Sequence, residues 1–311
     1  MARYVENILE AVGNTPLVKM GRIAPATGAS IFAKVECLNP GGSIKIRTAL
    51  GMITAAEEAG LLKPDSIIVE VTSGNQGISM ALIGAVKGYR VRIIMPENMS
   101  IERRKLIQAY GAEVVLTPAG ENIQEAIEAA LTVAKRMADQ DPRVFLPKQF
   151  ENPANPDIHR QTTAEEIIAQ LEGPLDAFVA GFGTDGTITG IGEILKKAYP
   201  DIKIIAAEPE NAAILSGLAI GHHIQQGIGD GVIPPIMNTA IVDGIILVSD
   251  ADALAAARRL AKDEGLLCGV SSGTNICAAL RIAQKLGPAA KVVTILPDTG
   301  ERYLSTELFE F

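Results

Sequence analysis

The sequence predicts an α/β protein with two doubly wound α/β domains, each built on a mainly parallel sheet with helices on both faces. Three observations predict this fold class. Seven short segments are apolar on both faces, as expected of strands buried on both sides of a parallel sheet. Helical patterns separate these segments, and this alternation is typical of βαβ units. The 311 residues also suffice for two domains of about 150 residues each.

The individual elements follow from the same patterns in chain order. Each strand segment is short and rich in Val and Ile, and the segments between them carry apolar residues at helical spacing. The loop FENPANPD, near 150–156, marks the expected crossing between the two sheets. The predicted strands are 66–71, 90–95, 113–116, 176–180, 202–207, 244–248 and 291–296. The predicted helices are 77–87, 99–110, 121–139, 157–171, 187–198, 250–264 and 273–286.

The charge of the chain argues against polyanionic partners. Lys and Arg number 28 and Asp and Glu number 36, which gives a net charge of −8. Phosphate backbones require clustered Lys and Arg, so no nucleic-acid partner is expected. The acidity also disfavours docking onto anionic membranes, and no segment approaches the roughly 18 uncharged apolar residues of a membrane span. With 4% aromatic residues and no Trp, a base-stacking platform is not expected either.

Cysteine and histidine usage disfavours disulfide and metal chemistry. Cys37, Cys268 and Cys277 are too few and too scattered for a disulfide framework or a zinc site. The three histidines of the chain do not supply a convincing ligand cluster, so no metal is expected. We expect packed, reduced thiols in a cytoplasmic protein, because the N-terminus carries no signal peptide.

The first unusual strand-to-helix junction is SIIVEV-TSGNQG. Thr72, Ser73, Gly74, Asn75 and Gln76 lie between a predicted strand and the start of a helix. Small hydroxyls, an amide and a glycine there expose backbone N–H groups at the positive end of a helix, where a carboxylate or phosphate binds well. Ordinary N-capping is the alternative, but capping needs only one such residue.

The second junction is DAFVA-GFGTDG. Its glycines (181–186) match the pattern G-x-G-x-x-G between a strand and a helix, and Glu208 lies at the end of the next strand. A dinucleotide would fit this pattern. Any phosphate ester would need the same glycines and the same helix end, and the hydroxyls of Thr184 and Thr187 would serve it equally well. The junction therefore predicts a phosphate-binding cradle, and NAD is one of the ligands whose phosphates it could bind.

Two further sites are ambiguous from the residues alone. Ser271 and Ser272 open a helix, where capping is a sufficient explanation. Lys45 follows the Gly-Gly-Ser turn of NPGGSIKIRTAL (39–50) at a helix start, which is an unfavourable place for a cation. A lysine in an electropositive, partly dry place has a lowered pKa and becomes nucleophilic, although a surface lysine beside Arg47 is the equal alternative.

These motifs, in this order and spacing, resemble the cysteine synthase (O-acetylserine sulfhydrylase) family. That family belongs to the fold-type II pyridoxal-phosphate (PLP) enzymes, which have a tryptophan synthase β-like fold and include the cystathionine β-synthase core. The resemblance covers essentially the whole chain. The segments that carry it are GNTPLVKM (13–20), NPGGSIK (39–45), TSGNQG (72–77), QFENPANP (149–156), GTDGT (183–187), GVSSG (269–273) and PDTGERYLST (297–306).

The resemblance implies PLP rather than NAD, bound in the cleft between a smaller domain, 45–155, and a larger one, 1–44 plus 156–311. Lys45 is expected to hold PLP as a Schiff base and then to take the Cα proton of the substrate. Asn75 is expected to bind the ring hydroxyl and Ser271 the pyridine nitrogen. The expected phosphate cradle is Gly183, Thr184, Asp185, Gly186 and Thr187. The expected substrate-carboxylate site is Thr72, Ser73, Gly74, Asn75, Gln76 and Gln149.

The implied reaction is β-elimination and β-replacement on a β-substituted L-serine through an aminoacrylate intermediate. In the cysteine synthase version, O-acetylserine and sulfide give cysteine. Family members are typically homodimers, and some bind the C-terminal tail of serine acetyltransferase. A non-catalytic, regulatory PLP-binding protein is the alternative of another class, and Ile46, where the family usually has Asp, is the one feature that favours it.

Three other departures from the family pattern bear on the site. Gln76 replaces a Thr close to the substrate, so the donor preference is open. Asp185 stands where Gly is frequent, and its side chain is expected to point away from a bound phosphate. Asp230, in GIGDGVIP (227–234), stands where Ala or Gly is common. A carboxylate there suits a general base for a weak nucleophile, with cysteine as donor, water as nucleophile, and hydrogen sulfide and serine as products. A thioether is the alternative product. For the residue itself, the alternative is a solvated loop carboxylate or one that pairs with a basic group.

Overall fold

The computed structural model describes residues 4–72, 74–120 and 123–310. They form two sheets. The larger sheet has six strands in the order β1-β2-β10-β7-β8-β9, in which β1 pairs antiparallel with β2 and the other pairs are parallel. Its strands are β1 (Leu17–Lys19), β2 (Ser30–Lys34), β7 (Ala177–Gly181), β8 (Lys203–Pro209), β9 (Gly244–Val248) and β10 (Lys291–Ile295).

The smaller sheet has four parallel strands in the order β5-β4-β3-β6. Its strands are β3 (Ile67–Val71), β4 (Arg90–Pro96), β5 (Glu113–Thr117) and β6 (Val144–Phe145). The helices are α1 (Lys45–Glu58), α2 (Asn75–Lys87), α3 (Ile101–Ala109), α4 (Ile123–Gln140), α5 (Ala154–Ile158), α6 (Ala164–Gln170), α7 (Gly186–Ala198), α8 (Asp250–Glu264) and α9 (Val270–Leu286).

The predicted fold class is confirmed, and all seven predicted strands are present within two residues of their predicted ends. The sequence reading missed β1, β2 and β6, because β1 and β6 are only three and two residues long and β2 has a half-buried pattern. The predicted helix 157–171 is also interrupted. A π-helical turn, His159–Thr163, separates α5 from α6.

Each sheet is buried on both faces. In β7, Ala177 and Val179 face one apolar cluster, which includes residues of α8 and α9. Phe178 and Ala180 face another, which includes residues of α6 and α7. The alternation follows from the period of two along a strand, and it explains why these strands are apolar at nearly every position. The smaller sheet is likewise packed between α4 on one face and α1, α2 and α3 on the other.

The chain order places helix starts at the carboxyl ends of strands. α2 begins four residues after β3 ends, and α7 begins five residues after β7 ends. Ligands in open α/β sheets bind at these strand ends, where helix N-termini point. None of the helices in the described part of the chain is both long and apolar enough to cross a membrane.

Candidate active site

A cavity of about 810 Å³ lies between the carboxyl ends of the two sheets. Residues of both sheets and of the loops that follow their strands line it. The structure therefore brings together residues that are far apart in the sequence. The predicted site residues that line it are Lys45, Thr72, Asn75, Gln76, Gln149, Gly183, Thr184, Asp185, Thr187, Asp230 and Ser271. Gly74 and Gly186 lie in the same loops but do not line the cavity, and Ser73 lies outside the described residues.

Lys45 is the first residue of α1. Its Nζ atom donates to Oγ1 of Thr184 at 3.0 Å and so reaches the loop that precedes α7. Burial lowers the pKa of Lys45, while the carboxylates of Asp230 and Asp185 act against that shift. A lysine that loses its proton more readily is a better nucleophile and a better base, which favours the reactive interpretation over that of a surface residue.

The loop before α7 is a tight cradle in which two positions exclude any side chain. A Cβ atom at Gly186 would lie 1.9 Å from Oδ1 of Asn155, and one at Gly183 would lie 2.8 Å from the carbonyl oxygen of Gly227. α7 begins at Gly186, where the first N–H groups of a helix have no partner within it. The residues therefore fit a phosphate group held by backbone N–H groups, a helix end and the hydroxyl of Thr184.

Asp185 does not point away from the cradle, so that expectation is wrong. Its φ of 64° lies in the left-handed region, and its Oδ1 accepts a hydrogen bond from the Gly183 N–H at 2.9 Å. This short-range bond turns the side chain back into the loop. Burial raises the pKa of Asp185 well above its usual value, which favours the neutral acid and so weakens the expected repulsion of a phosphate.

Glu208 is the acidic residue that would bind the ribose hydroxyls of a dinucleotide. Its carboxylate instead accepts hydrogen bonds from the protein itself. Its carboxylate accepts from the backbone N–H of Leu215 at 2.8 Å and from both the N–H and the hydroxyl of Ser216. These contacts close a loop after β8. The carboxylate is thus a structural acceptor, and the glycine pattern functions without the acidic partner of a dinucleotide site.

The loop between β3 and α2 is fixed by an internal hydrogen bond and by the packing of Arg103 against it. The hydroxyl of Thr72 accepts from the N–H of Gly74 at 3.1 Å. The side chain of Arg103 packs directly on Gly74, where a Cβ atom would lie 2.1 Å from Cδ of the arginine. The guanidinium of Arg103 also stacks 4.8 Å above the ring of Tyr303. Gly74 is therefore required by packing, in addition to any role in binding.

Asn75 is oriented by the segment that follows β10. Its Nδ2 donates to Oδ2 of Asp298 at 2.6 Å, and its Oδ1 accepts from Nη1 of Arg302 at 2.7 Å. The hydroxyl of Tyr303 donates to the same Asp298 oxygen at 2.7 Å. An asparagine amide has two N–H groups, so one remains for a ligand in the cavity.

Several buried polar atoms at the cavity lack a hydrogen-bond partner within the described structure. They include both amide atoms of Gln76, Oε1 of Gln149 and Oε2 of Glu70. Burial raises the pKa of Glu70 to about 8, so this carboxyl group is mostly neutral at pH 7. Buried polar groups are normally paired, and a concentration of unpaired ones fits a site that receives a polar ligand.

Ser271 and Asp230 complete the lining. Ser271 is the second residue of α9 and is 4% exposed. The Asp230 carboxylate has no hydrogen-bond partner among the described residues, and burial raises its pKa, against the opposing effects of Lys45 and His223. An acid with a raised pKa is a stronger base when it is ionised, so the group suits proton transfer.

The sequence reading missed Asn155, Arg103, Glu70 and Asp298. Glu70 had a signal, since a charged residue within an otherwise apolar strand is unusual. Asn155 and Asp298 lie in QFENPANP and PDTGERYLST, which carried the resemblance without a role for these side chains. No group of His, Cys, Asp and Glu that could hold a metal ion occurs in the described residues.

Comparisons with known proteins agree with this geometry. The family model for pyridoxal-phosphate dependent enzymes matches residues 8–298. A cysteine synthase of Staphylococcus aureus (strain Mu50 / ATCC 700699) is 50% identical over 308 residues, which cover 99% of this chain and 98% of the relative.

Solved structures also match over nearly the whole chain. That of an O-ureido-L-serine synthase is 42% identical, with a TM-score of 0.94 over 99% of this chain and 96% of the other. That of a hydrogen sulfide-producing enzyme from Fusobacterium nucleatum is 39% identical, with a TM-score of 0.92 over 97% of this chain and all of the other. The chain therefore belongs to the pyridoxal-phosphate dependent enzyme family, in the branch that contains the cysteine synthases.

Proposed function

We propose that the protein replaces the β-substituent of an amino acid in the manner of a cysteine synthase: O-acetyl-L-serine and hydrogen sulfide give L-cysteine and acetate. One observation carries the proposal. Nζ of Lys45, at the start of α1, lies within hydrogen-bond distance of Oγ1 of Thr184 in the phosphate cradle. Thr72, Asn75 and Gln76, from the loop proposed to bind the substrate carboxylate, line the same cavity. The identity to a cysteine synthase over 99% of the chain supports the same reaction.

The chain has residues suited to bind each polar group of PLP. Asn75 is proposed to donate its free N–H to the ring hydroxyl, and Ser271 to face the pyridine nitrogen. A neutral hydroxyl does not force that nitrogen to be protonated, which suits β-elimination more than transamination. Bound PLP withdraws electrons from Cα of the amino acid and so makes the Cα proton removable. The proposed phosphate cradle is Gly183, Thr184, Asp185, Gly186 and Thr187.

Lys45 is the proposed attachment point for the cofactor and the base at Cα. Its lowered pKa leaves more of the amine neutral, so it can accept the Cα proton and return it after the replacement. The substrate α-carboxylate is proposed to bind at the start of α2, where N–H groups and the helix dipole favour an anion. The residues proposed for that site are Thr72, Ser73, Gly74, Asn75, Gln76 and Gln149, with Gln76 contributing the backbone N–H of the second residue of α2 and not its side-chain amide.

The proposed reaction is tested by identifying its products. Purified, PLP-loaded enzyme is incubated with O-acetyl-L-serine and sulfide, and separately with L-cysteine alone, and the amino acids are identified by mass spectrometry. L-Cysteine from the first mixture supports the proposal. If the loaded enzyme consumes neither donor, a regulatory PLP-binding protein is the better description.

Asp230 favours a second candidate function, in which cysteine is the donor. L-Cysteine and water would give L-serine and hydrogen sulfide, with Asp230 as the base that takes a proton from water. The observation is a cavity-lining carboxylate without a partner in the described structure and with a raised pKa. Sulfide and thiols are partly ionised near neutral pH, whereas water needs such a base. The name of the Fusobacterium nucleatum relative, a hydrogen sulfide-producing enzyme, is consistent with it.

Replacement of Asp230 by Asn tests this second function. Sulfide release from L-cysteine should fall at least tenfold in Asp230→Asn, while cysteine formation from O-acetyl-L-serine and sulfide should change much less. Sulfide release from L-cysteine at the wild-type rate would exclude the base role. If a thiol adds at the β-carbon instead of water, a thioether should appear among the products.

The assembly and the location of the enzyme are further parts of the proposal. We propose a cytoplasmic homodimer, with the domains 45–155 and 1–44 plus 156–311 on either side of the cavity. The smaller sheet lies wholly within 67–145, which supports this division. The sulfur atoms of Cys37 and Cys268 lie 3.8 Å apart as free thiols, as a reducing compartment allows. Binding of the C-terminal tail of a serine acetyltransferase is also proposed, and size-exclusion chromatography with and without that peptide tests both interactions.

A further inference from the structure

Two buried glutamines of this chain differ in a way that packing alone does not explain. Gln225 is 0% exposed and fully paired: its Nε2 donates to the carbonyl of Val248 and to Asp250, and its Oε1 accepts from Thr274 at 2.7 Å. Gln76 is 1% exposed, yet neither its Nε2 nor its Oε1 has a partner in the described structure. Gln76 lines the cavity.

An unpaired buried amide is costly, because water is lost from both polar atoms without replacement. Such a group usually marks a functional site or a missing ligand. Gln76 is the second residue of α2 and follows Asn75 directly, so its amide lies beside the proposed substrate site.

The chemistry of the amide limits what can satisfy it. It presents one acceptor oxygen and one donor nitrogen, so a small group that both donates and accepts through one oxygen matches it. Water and alcohols are such groups. A carboxylate or an ester oxygen only accepts, and sulfide is a weak donor.

We propose that Gln76 is a specificity-determining residue that holds water as the second reactant at the β-carbon of the amino acid. This inference rests on the proposed function and extends its second version. The water donates one hydrogen to Oε1 of Gln76 and accepts from Nε2. Its other proton passes to Asp230 as its oxygen forms the C–O bond at Cβ, the earlier leaving group having departed with its bonding electrons. The proton that Lys45 took from Cα returns to Cα, and a β-substituted serine plus water gives serine plus the protonated leaving group.

The competition between water and sulfide for the same donor is measured in a single reaction mixture. PLP-loaded enzyme receives O-acetyl-L-serine and sulfide in ¹⁸O-labelled water, and mass spectrometry counts L-cysteine and L-serine with ¹⁸O on the β-carbon. Simple ester hydrolysis leaves the original oxygen on that carbon and is not counted. The ratio of labelled serine to cysteine should fall about tenfold in Gln76→Met, because the apolar side chain cannot hold water. An unchanged ratio would overturn the role of Gln76, whatever the change in total rate.

A stability measurement distinguishes an amide that is kept free for a ligand from one that stabilises the fold. Thermal unfolding is followed for loaded enzyme without substrate in Gln76→Met and in the matched control Gln225→Met. The control should lose about 4 °C or more, because the three hydrogen bonds of a fully buried amide are lost. Gln76→Met should melt at or above the wild-type temperature. A loss as large as that of the control would show that the amide is structural and would contradict the proposal.

The two failures are distinguishable. If the wild-type enzyme forms neither cysteine nor labelled serine, the proposed function fails and the inference fails with it. If wild type forms cysteine but no labelled serine, the β-replacement function stands and only the water role of Gln76 is wrong.

Discussion

Lys45 Nζ lies 3.0 Å from Oγ1 of Thr184, which joins the first residue of α1 to the loop that precedes α7. α1 packs with the smaller sheet, and that loop follows a strand of the larger sheet. The two residues are 139 positions apart in the chain. The contact therefore depends on the correct docking of the two sheets, and it places the reactive amine at the phosphate cradle.

Gly186→Ala should weaken PLP binding by about 10- to 100-fold, because the new Cβ atom would lie 1.9 Å from Oδ1 of Asn155 and the cradle would have to shift. Absorbance titration of the cofactor-free protein with PLP measures the Kd. Gly21→Ala is the control, since its Cβ atom would have 3.7 Å to the nearest atom outside its chain neighbours, in Glu264. Equal affinities of the two variants would show that the cradle does not hold the phosphate.

Asp298→Asn should lower PLP affinity about tenfold, because Asn75 loses the charged acceptor that fixes its amide at 2.6 Å. Tyr303→Phe removes the other donor to the same oxygen and leaves the contact with Asn75 intact, so its effect should be smaller. Fluorescence titration with PLP compares the two variants. A larger loss in Tyr303→Phe than in Asp298→Asn would contradict this orientation of Asn75.

Glu70 should make the enzyme less stable as the pH rises. Its pKa is raised from about 4.5 to about 8 in the folded state, so the folded protein holds a proton that the unfolded chain has already released. This contribution to stability is complete below pH 4.5 and is lost as the pH passes through about 8. Glu70→Gln should remove it: the melting temperature of the variant relative to wild type should be higher at pH 9 than at pH 6. The same difference at both pH values would mean that Glu70 is ionised throughout.

Arg47→Met should lower the free energy of unfolding by about 3–5 kcal/mol, because the arginine is 1% exposed and pairs with both Glu36 and Glu166. Its removal takes the arginine from both carboxylates, of which Glu166 keeps Lys34 at 2.6 Å. Arg143→Met is the control, since its pair with Asp141 is solvent-exposed and screened, so its loss should change the free energy of unfolding much less. Urea unfolding measures both variants, and similar losses would contradict the importance of burial.

Much of the fold was accessible from the sequence, because the information is local. The strands buried on both faces are apolar at nearly every position, and the motifs TSGNQG and GFGTDG mark the junctions where helices begin. The predicted PLP dependence is supported by the family match over residues 8–298. The assigned roles of individual residues stay predictions, which the variants above test.

The rest depends on tertiary packing. Asn155 touches the cradle because α5, to which it belongs, packs against α7, and no local pattern encodes that contact. The partners of Asn75 come from a segment more than 220 residues away. The pKa values of Glu70 and Asp185 are set by burial, which a sequence shows only as a charged residue in an unusual place.

The central claim, that Lys45 holds PLP in the cavity between the two sheets, is tested most directly by chemical trapping. The loaded enzyme is reduced with sodium borohydride, digested, and mapped by peptide mass spectrometry. The PLP-derived group should be found on the peptide that contains Lys45. Its presence on Lys135 or Lys148, which line the same cavity, or on no lysine at all, would contradict the account.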